Sequence, residues 1–209
     1  MNTRSLTGWL LIGGPVLTFV VLGALYPALV GNQDTAASSV KDMVAKPELA
    51  RVLIGLGSIA FAAIFAGLTL LARSMQGDDK SGGAYASVAV IIFTGLTAIG
   101  IAATGLSAGA LSAAADNLRE AVMIEAVSSA MFTGLWFFWG IGSLLIGSAM
   151  VMQKNLHVVI AWLFVAFGVF VVVSSLANLN IPDVAGLVVW VGMTLVTAAA
   201  GFLHLRQAS

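Results

Sequence analysis

A group of side chains in the second half of the chain has the types and spacing of a binding site. Its members are Glu125, Ser129, Thr133 and Trp136. Positions three or four apart share one side of a helix, so these groups would form a polar stripe, to which Ser128 also contributes. A carboxylate, hydroxyls and an indole can hold a small polar ligand in a vestibule that descends from the membrane surface. We name these four as candidate binding residues.

An ion pair is the alternative interpretation of Glu125. Arg51 and Arg119 are expected near the same membrane surface, and either could pair with the carboxylate. A charge near the middle of the bilayer would instead indicate a route for protons or ions. No Asp, Glu, Lys or Arg falls near the centre of a predicted span, which argues against a proton-coupled transporter.

Four consecutive aromatic residues, Trp136 to Trp139, lie near the middle of the same apolar segment. Successive helix residues advance by about 100°, so these side chains spread around the helix and cannot all face one ligand. Packing within a helix bundle is one interpretation. A groove that holds a quinone, a carotenoid or a lipid is the other.

Other residues that carry chemistry are few. His157 and His204 are expected at one membrane surface, either as ligands of a haem or a metal ion or as ordinary interfacial residues. The chain has no cysteine, which removes disulfides and thiolate ligands, and no lysine inside a predicted span, which removes a retinal Schiff base. No catalytic arrangement is found, so we predict a non-enzymatic protein and assign no cofactor, with haem, carotenoid and quinone left open.

The composition of the chain indicates that the segments carrying these residues lie in a membrane. Of the 209 residues, 60% are hydrophobic and 9% are charged, and the mean hydropathy is +1.05. A water-soluble domain of this size could not bury so much apolar surface, so the lipid bilayer is the first predicted partner. The nine basic and nine acidic residues cancel, and no nucleic-acid partner is expected.

Charged residues divide the chain into six uncharged runs, each long enough to cross a hydrocarbon core of about 30 Å as a helix. We therefore predict an all-α polytopic membrane protein, a six-transmembrane-helix bundle that forms a single domain over residues 1–209. The predicted spans are Trp9–Val30, Val52–Ala72, Ala86–Leu106, Ala126–Met152, Val158–Ala177 and Val184–Leu205.

The distribution of bases favours a cytoplasmic N-terminus. With that orientation, five of the Lys and Arg residues lie in segments that face the cytoplasm and four in segments that face outward. The five are Arg4, Arg73, Lys80, Lys154 and Arg206, and the four are Lys41, Lys46, Arg51 and Arg119. We predict that both termini are cytoplasmic, N-in and C-in.

The polar loop between the first two spans has a helical pattern of its own. Ser39 with Asp42 resembles a capping box, in which the first side chain accepts a hydrogen bond from the third helical N–H. Val40, Met43 and Val44 then share one face. We expect a short helix that rests on the outer surface of the bundle.

Prolines and polar residues mark other helix boundaries. Pro15 should kink the first span because it lacks a backbone donor. Asp116 could cap a helix that continues into the fourth span and projects past the membrane surface. The short turn after the fourth span makes the fourth and fifth spans antiparallel neighbours. Before the sixth span, Asn180 and Asp183 have the spacing of a cap, and Pro182 suits a first turn.

Small residues recur at spacings of three or four in spans two to four and predict where helices pack closely. The sets are Ser58, Ala62, Ala66 and Thr69 in span two, Thr97, Gly100 and Thr104 in span three, and Gly140, Ser143 and Gly147 in span four. Bundle packing is the main interpretation, and a polar permeation path is the other.

The segment GLWFFWGIGSLLIGSAMVMQKNLHVVIAWLFVAFGVFVVVSSLANL, Gly134–Leu179, resembles the second half of a family of small bacterial six-span membrane proteins of unassigned function. The likeness rests on glycines and serines in two apolar helices joined by a tight turn. Asn155 and Leu156 stand in that turn, where a proline is expected from the family. The resemblance implies a six-helix bundle in the bacterial inner (cytoplasmic) membrane and carries over no functional residue.

Three functions are compatible with these observations. The one we favour is a small non-enzymatic membrane protein that forms a homo-oligomer, or is an accessory subunit of a membrane complex, through its small-residue faces. The second is a carrier or channel for a small neutral or lipid-like molecule that enters near Glu125. The third is a binder of a pigment, a quinone or a haem.

Overall fold

The structure is a computed structural model that describes residues 2–31, 34–154, 156–177, 179 and 183–206. All regular secondary structure in these ranges is helical. The elements are α1 (Thr3–Thr18), a π-helix (Phe19–Leu25), α2 (Tyr26–Leu29), α3 (Ala36–Ala45), α4 (Pro47–Ser74), α5 (Gly83–Ala113), α6 (Leu118–Gln153), α7 (Val158–Leu176) and α8 (Asp183–Arg206).

Within the described residues, six helical segments are long and apolar enough to cross a membrane, which confirms the predicted all-α six-helix bundle. These spans are Thr3–Leu29, Pro47–Ser74, Gly83–Ala113, Leu118–Gln153, Val158–Leu176 and Ala185–Arg206. The third and fourth spans are longer than predicted, because the good helix formers that flank their apolar runs extend both helices. At about 1.5 Å per residue, the 36 residues of α6 cover ~54 Å, well beyond the ~30 Å of a hydrocarbon core.

Helices that follow one another in sequence are also neighbours in space. α1 packs on α4, α4 on α5, α5 on α6 and α6 on α7, and α8 returns to pack on α1, while contacts between α7 and α8 are sparse. The spans therefore form a ring with a loose seam between α7 and α8. We call the end that carries α3 and the start of α6 the α3 end, and the end that carries the start of α1 and the end of α8 the terminal end.

The first span is irregular between two prolines. Pro15 is buried inside α1, and Pro27 stands at the start of α2. Between them the chain forms seven residues of π-helix, and the Tyr26 N–H donates to the carbonyl of Val21, five positions back. Neither proline has an N–H to donate, so the carbonyls that would accept from these positions in a regular α-helix lack a partner. The hydrogen-bond register changes between the two prolines. The kink predicted at Pro15 stays a prediction, and the irregular hydrogen bonding begins one turn further along the chain, at Phe19.

Helix ends differ from the predicted caps in two places. Thr35, not Ser39, caps α3, and it exchanges hydrogen bonds with Ser38 in a capping box. Asn117, not Asp116, caps α6, and its Oδ1 accepts from the Glu120 N–H at 3.3 Å. In both cases several cap-forming residues stand close together, so sequence spacing alone does not select one. The cap predicted at Asn180 and Pro182 lies outside the described residues.

Glycines bring some of the helices into close contact, as predicted for α6. A Cβ atom added to Gly147 would lie 2.8 Å from the backbone nitrogen of Val165 on α7, and Gly140 faces the same helix. On α4, the close approach to α1 is made at Gly67, whose added Cβ would lie 3.0 Å from Leu11 Cδ2. Three α4 residues of the predicted packing set are only half-buried, namely Ser58, Ala62 and Ala66.

Candidate functional site

α3 lies across the α3 end of the bundle and is held there by its apolar face. Val40 and Met43 are fully buried, and they pack in a small hydrophobic cluster with residues of the first span, α4, α5 and α6, among them Tyr26, Leu53 and Ala121. Burying a side chain of this size stabilises the packed state by roughly 1.5–3 kcal/mol. The predicted short surface helix is therefore present, and it covers the helix ends beneath it.

Two further contacts fix α3 to the end of the first span. The Lys46 ammonium donates to the carbonyl of Leu29. Gly31 has a φ of +150° and lies against Asp42 so closely that an added Cβ would collide with the carboxylate. A side chain is disfavoured at Gly31 both by its backbone conformation and by this neighbour. α3 and the end of the first span therefore form one packed unit.

Glu125 lies beneath α3 with only 4% of its surface exposed. The Ser39 hydroxyl of α3 donates to Glu125 Oε1 at 3.1 Å. Glu125 Oε2 is buried and accepts no hydrogen bond from the described residues. Arg51, one of the two bases proposed as its partner, instead pairs with Glu48 at 3.0 Å, and no described cation pairs with Glu125. The carboxyl group is thus bound by a hydroxyl and keeps a free acceptor.

A chain of serine hydroxyls continues from Glu125 into the bundle. Ser107 of α5 lies beside the Glu125 carboxyl group, and its Oγ is 2.9 Å from Ser128 Oγ on α6. The Ser128 hydroxyl in turn donates to the carbonyl of Ala103 at 2.9 Å. Ser107, Ser128 and Glu125 are all buried. These contacts connect α3, α5 and α6 through polar groups below the surface.

An apolar cleft of about 270 Å³ adjoins this polar chain, and Ser107 belongs to both. We call it the α3 cleft. Its lining residues are Leu22, Tyr26, Pro27, Gly31, Ile54, Phe61, Thr104, Ser107 and Phe132. The π-helical segment therefore forms one wall, and α4, α5 and α6 form the others. π-helical segments are frequent at functional sites because they reposition side chains relative to a regular helix.

The polar atoms of the α3 cleft favour a ligand that donates hydrogen bonds. The Thr104 hydroxyl already donates to the carbonyl of Gly100 at 3.0 Å, and Ser107 shares a hydrogen bond with Ser128. Their oxygens keep lone pairs that can accept. Glu125 does not line the cleft, so the two hydroxyls form its polar end, which suits a hydroxyl or amide group. The remaining walls suit hydrocarbon.

The structure does not bring the four predicted binding residues together. Glu125 is buried beneath α3, but Ser129 and Thr133 are exposed on the outside of α6, where the Thr133 hydroxyl donates to the carbonyl of Ser129 at 3.2 Å. Trp136 lies deeper and packs on Phe167 of α7. An arc of helix wide enough to hold all four also includes the lipid-facing surface, so the polar stripe is split between two environments.

Sequence reasoning misses the residues that Glu125 does meet. The sequence pattern assigns Ser39 to a helix cap and Thr104 to helix packing or a permeation path, while Ser107 lies past the predicted end of the third span. The contacts of Ser39 and Ser107 with Glu125 depend on where α3 and α5 pack against α6. The one usable signal in the sequence is that Ser128 lies three residues after Glu125 and thus on the same helix face.

The aromatic quartet contributes to a packed core in the middle of the bundle. Trp139 is 3% exposed, and its ring centroid lies 5.3 Å from that of Phe65 and 5.7 Å from that of Trp136, both edge to face. Phe138 points outward and is 46% exposed. The four residues spread around α6 as expected, and the inward pair packs with rings of α4 and α7. Packing is therefore the better interpretation of the inward pair.

The two histidines have different surroundings. His157 caps α7, and its Nδ1 accepts from the Val159 N–H at 3.3 Å. His204 is buried at the end of α8 and lines a cavity with residues of α1 and α4. No cluster of three or more His, Cys, Asp or Glu side chains among the described residues has the arrangement of a metal site.

Comparison of the chain with protein-family models, curated proteins and solved structures finds no match. The resemblance to small bacterial six-span proteins stays a prediction.

Proposed function

We propose that this protein binds a small amphipathic, lipid-like molecule in the α3 cleft and acts as a non-enzymatic binding protein or carrier in the bacterial cytoplasmic membrane. The observation that carries the proposal is the junction at Ser107. There an apolar cleft meets a buried hydroxyl whose oxygen can accept a hydrogen bond, beside the carboxyl group of Glu125. A ligand would place its hydrogen-bond donor at this junction and its hydrocarbon along Phe61 and Phe132.

The size of the cleft supports a ligand of modest volume. About 270 Å³ lies just below the ~300–1,000 Å³ of ordinary small-molecule pockets. A purely apolar ligand would displace water from the Thr104 and Ser107 hydroxyls, which line the cleft, and a polar group that loses its hydrogen-bond partner costs roughly 1–3 kcal/mol. The cleft therefore favours a ligand with a polar head over a purely apolar one.

Extraction and mass spectrometry of the purified protein test the proposal. Thr104→Phe places an aromatic ring in the α3 cleft. Thr94→Phe is the matched control, because Thr94 lies on the same helix and bonds its own backbone in the same way, but is exposed on the outside of the bundle. We expect one class of amphipathic molecule to co-purify with the native protein and with Thr94→Phe, and to be lost from Thr104→Phe. Equal retention by both variants would contradict binding in the cleft.

Self-association is a second candidate function, and one observation favours it. Ala98, Ala102, Gly105 and Gly109 lie at helical spacing, and the two glycines and both alanines are exposed on α5. A Cβ added to Gly105 or Gly109 would meet nothing within 4 Å, so this small-residue face is not used inside the bundle. Such faces allow helices of two membrane proteins to approach closely.

Native mass spectrometry in mild detergent tests self-association. Gly105→Leu should convert an oligomer to a monomer, because the larger side chain separates the two helices. Gly55→Leu is the control, since Gly55 is equally open on α4 but has the bulky, exposed Val52 and Ile59 on its face. A native protein that is already monomeric, or an oligomer that survives Gly105→Leu, would exclude this interface.

A further inference from the structure

A second polar cavity lies at the terminal end of the bundle, with its own lining residues. Its volume is about 270 Å³, and its lining residues are Thr3, Arg4, Thr7, Leu70, Ser74 and His204. We call it the His204 cavity. It is built by α1, α4 and α8 and shares no lining residue with the α3 cleft, so a ligand bound in the His204 cavity would be independent of the proposed function.

His204 is the buried polar group of this cavity. It is 7% exposed, and its ring makes no hydrogen bond with any described residue, although an imidazole has two nitrogens that can donate or accept. Arg4 lies close enough for its charge to act on His204. No acidic side chain lines the cavity within the described part of the chain. A fixed positive charge and a ring N–H that can donate a hydrogen bond thus converge on one space.

The start of α1 adds donors of the same kind. Asn2 caps this helix by accepting from the Ser5 N–H at 2.8 Å, and the N–H of Thr3 precedes the first intrahelical bond. Such N–H groups and the helix dipole attract anions, phosphate in particular. The helix start is therefore consistent with the charge of the cavity.

The hydrogen-bond donors that the cavity offers to a ligand are nitrogen groups, not hydroxyls. Thr7 donates to the carbonyl of Thr3 at 2.9 Å, and Ser74 donates to the carbonyl of Leu71 at 2.7 Å. These two hydroxyls therefore have no proton left to donate, and the donors that remain in the cavity are nitrogen groups. The imidazole of His204 and the N–H of Thr3 can donate to a ligand, and the guanidinium of Arg4 adds a fixed positive charge. A ligand that suits them is an anion with several acceptor atoms.

We propose that the His204 cavity binds a phosphate group. A phosphate offers several acceptor oxygens and a negative charge, and a guanidinium matches it in two-pronged geometry. The head group of a phospholipid and free inorganic phosphate both carry this chemistry.

The position of the cavity agrees with a phosphate ligand. It lies at the start of the first span, at an end of the apolar helices. Bases at a membrane surface attract anionic lipids, and bases outnumber acids at the terminal end. The bases besides Arg4 are Arg73, Lys80, Lys154 and Arg206, and the acids are Asp78 and Asp79.

Calorimetric titration of the full-length protein in mild detergent tests this site. The three titrants are dioctanoyl phosphatidylglycerol, inorganic phosphate, and dioctanoylglycerol, which has the acyl chains without the phosphate. In Thr104→Phe, which blocks the α3 cleft, we expect saturable one-to-one binding of at least one phosphate compound and none of dioctanoylglycerol, whose free hydroxyl suits that cleft in the native protein. Binding of both phosphate compounds would mean that the phosphate suffices, whereas binding of phosphatidylglycerol alone would identify the lipid as the source.

Variants separate this cavity from general attraction to a basic surface. Arg4→Gln and His204→Gln should each weaken binding about tenfold, the usual effect of losing one hydrogen bond to a charged group. Arg73→Gln, at an exposed base of the same end, should change affinity less than about twofold. Because Arg4 is itself exposed, its replacement leaves the packing intact, and an unchanged thermal unfolding midpoint checks this. Equal effects of Arg4→Gln and Arg73→Gln, or equal binding of dioctanoylglycerol by Thr104→Phe, would overturn the proposal.

Discussion

Glu125 is an acidic residue buried without a cationic partner among the described residues, and α3 supplies a hydrogen bond to it. Burying a carboxyl group in apolar surroundings is unfavourable unless hydrogen bonds compensate. Ser39 supplies one such bond at 3.1 Å. The same contact joins α3 to α6. Ser39 therefore helps both to hold α3 on the bundle and to stabilise the carboxyl group next to the cleft.

Replacing Ser39 by Ala should therefore destabilise the protein. The substitution removes the hydroxyl that α3 donates to Glu125, and an unsatisfied buried acceptor costs about 1–3 kcal/mol. Ser129→Ala is the control, because Ser129 is exposed on the helix that carries Glu125 and should change stability by less than about 0.5 kcal/mol. The free energy of unfolding in mixed detergent micelles measures both, and equal values would show that the Ser39–Glu125 contact contributes nothing.

Trp139 presents the opposite case, a buried donor without an acceptor. Its Nε1 has no hydrogen-bond partner among the described residues, although its ring is enclosed by other aromatic residues. Trp139→Phe keeps most of the packing and removes the unsatisfied N–H, so we expect a loss below about 1.5 kcal/mol. Trp139→Ala leaves a cavity and should cost about 3–5 kcal/mol. If Phe were as costly as Ala in unfolding measurements, the indole N–H would have a partner.

Of the individual residues in the candidate site, only Glu125 is conspicuous in the sequence. It stands out because it is an acid at the edge of a long uncharged run. Ser39, Thr104 and Ser107 are ordinary polar residues in sequence, and they belong to the site only because three helices converge there. Ser129 and Thr133, which the sequence also nominates, face outward, since periodicity defines a helix face without showing what that face meets.

Among the helices, α6 and α7 form the pair whose contact depends most visibly on glycine. Added Cβ atoms at Gly140, Gly147 and Gly168 would all come within 3 Å of atoms of the facing helix. Close approach of this kind maximises van der Waals contact between helices, which matters because lipid removes the hydrophobic driving force. The tight turn between the two helices, visible in the sequence, already requires them to be neighbours.

Gly147→Ala should thus weaken the α6–α7 contact. Its Cβ would lie 2.8 Å from the backbone nitrogen of Val165, and relieving such overpacking costs about 1–3 kcal/mol. Gly134→Ala, at an open position of the same helix, should be neutral or slightly stabilising, because Ala is the better helix former. Thermal unfolding of both variants in the same detergent is the measurement. A Gly147→Ala midpoint at or above that of Gly134→Ala would contradict close packing at this site.

The first span shows a limit of local prediction. A proline inside a helix predicts a break in the hydrogen-bond pattern, and Pro15 and Pro27 bracket the π-helix that forms. The position of the π-helix along the first span also depends on the helices that pack against it. Gly23 lies against Trp190 of α8, and Phe19 stacks on the same indole with centroids 5.9 Å apart. The tertiary contacts with α8 are thus part of what places the π-helix, and the sequence of the span does not show them.

Over the full length of the chain, hydropathy and charge predict the fold class and the number of spans. A bilayer demands that each crossing segment satisfy its own backbone hydrogen bonds, so long uncharged runs become helices with little ambiguity. The order of helices around the ring is not predictable in the same way, except where a short turn forces it. The α3 cleft cannot be predicted from hydropathy either, because it forms where an irregular first span packs against three regular helices.

Orientation in the membrane is a prediction of the charge distribution that cysteine labelling can test. The chain has no native cysteine, so Asp78→Cys and Asp116→Cys each introduce a single thiol, at the terminal end and at the α3 end. With both termini cytoplasmic, a membrane-impermeant maleimide should label the Asp116 variant in intact cells and the Asp78 variant only after permeabilisation. The reverse pattern would show that the termini face outward.

An experimental density map of the protein, purified from its native membrane into lipid nanodiscs, would reveal whether the α3 cleft holds a ligand. We expect elongated density between Tyr26, Phe61 and Phe132, with its polar end within hydrogen-bond distance of the Thr104 or Ser107 hydroxyl. A cleft that is filled by its own side chains, or that holds only water in contact with both groups, would contradict the proposed function.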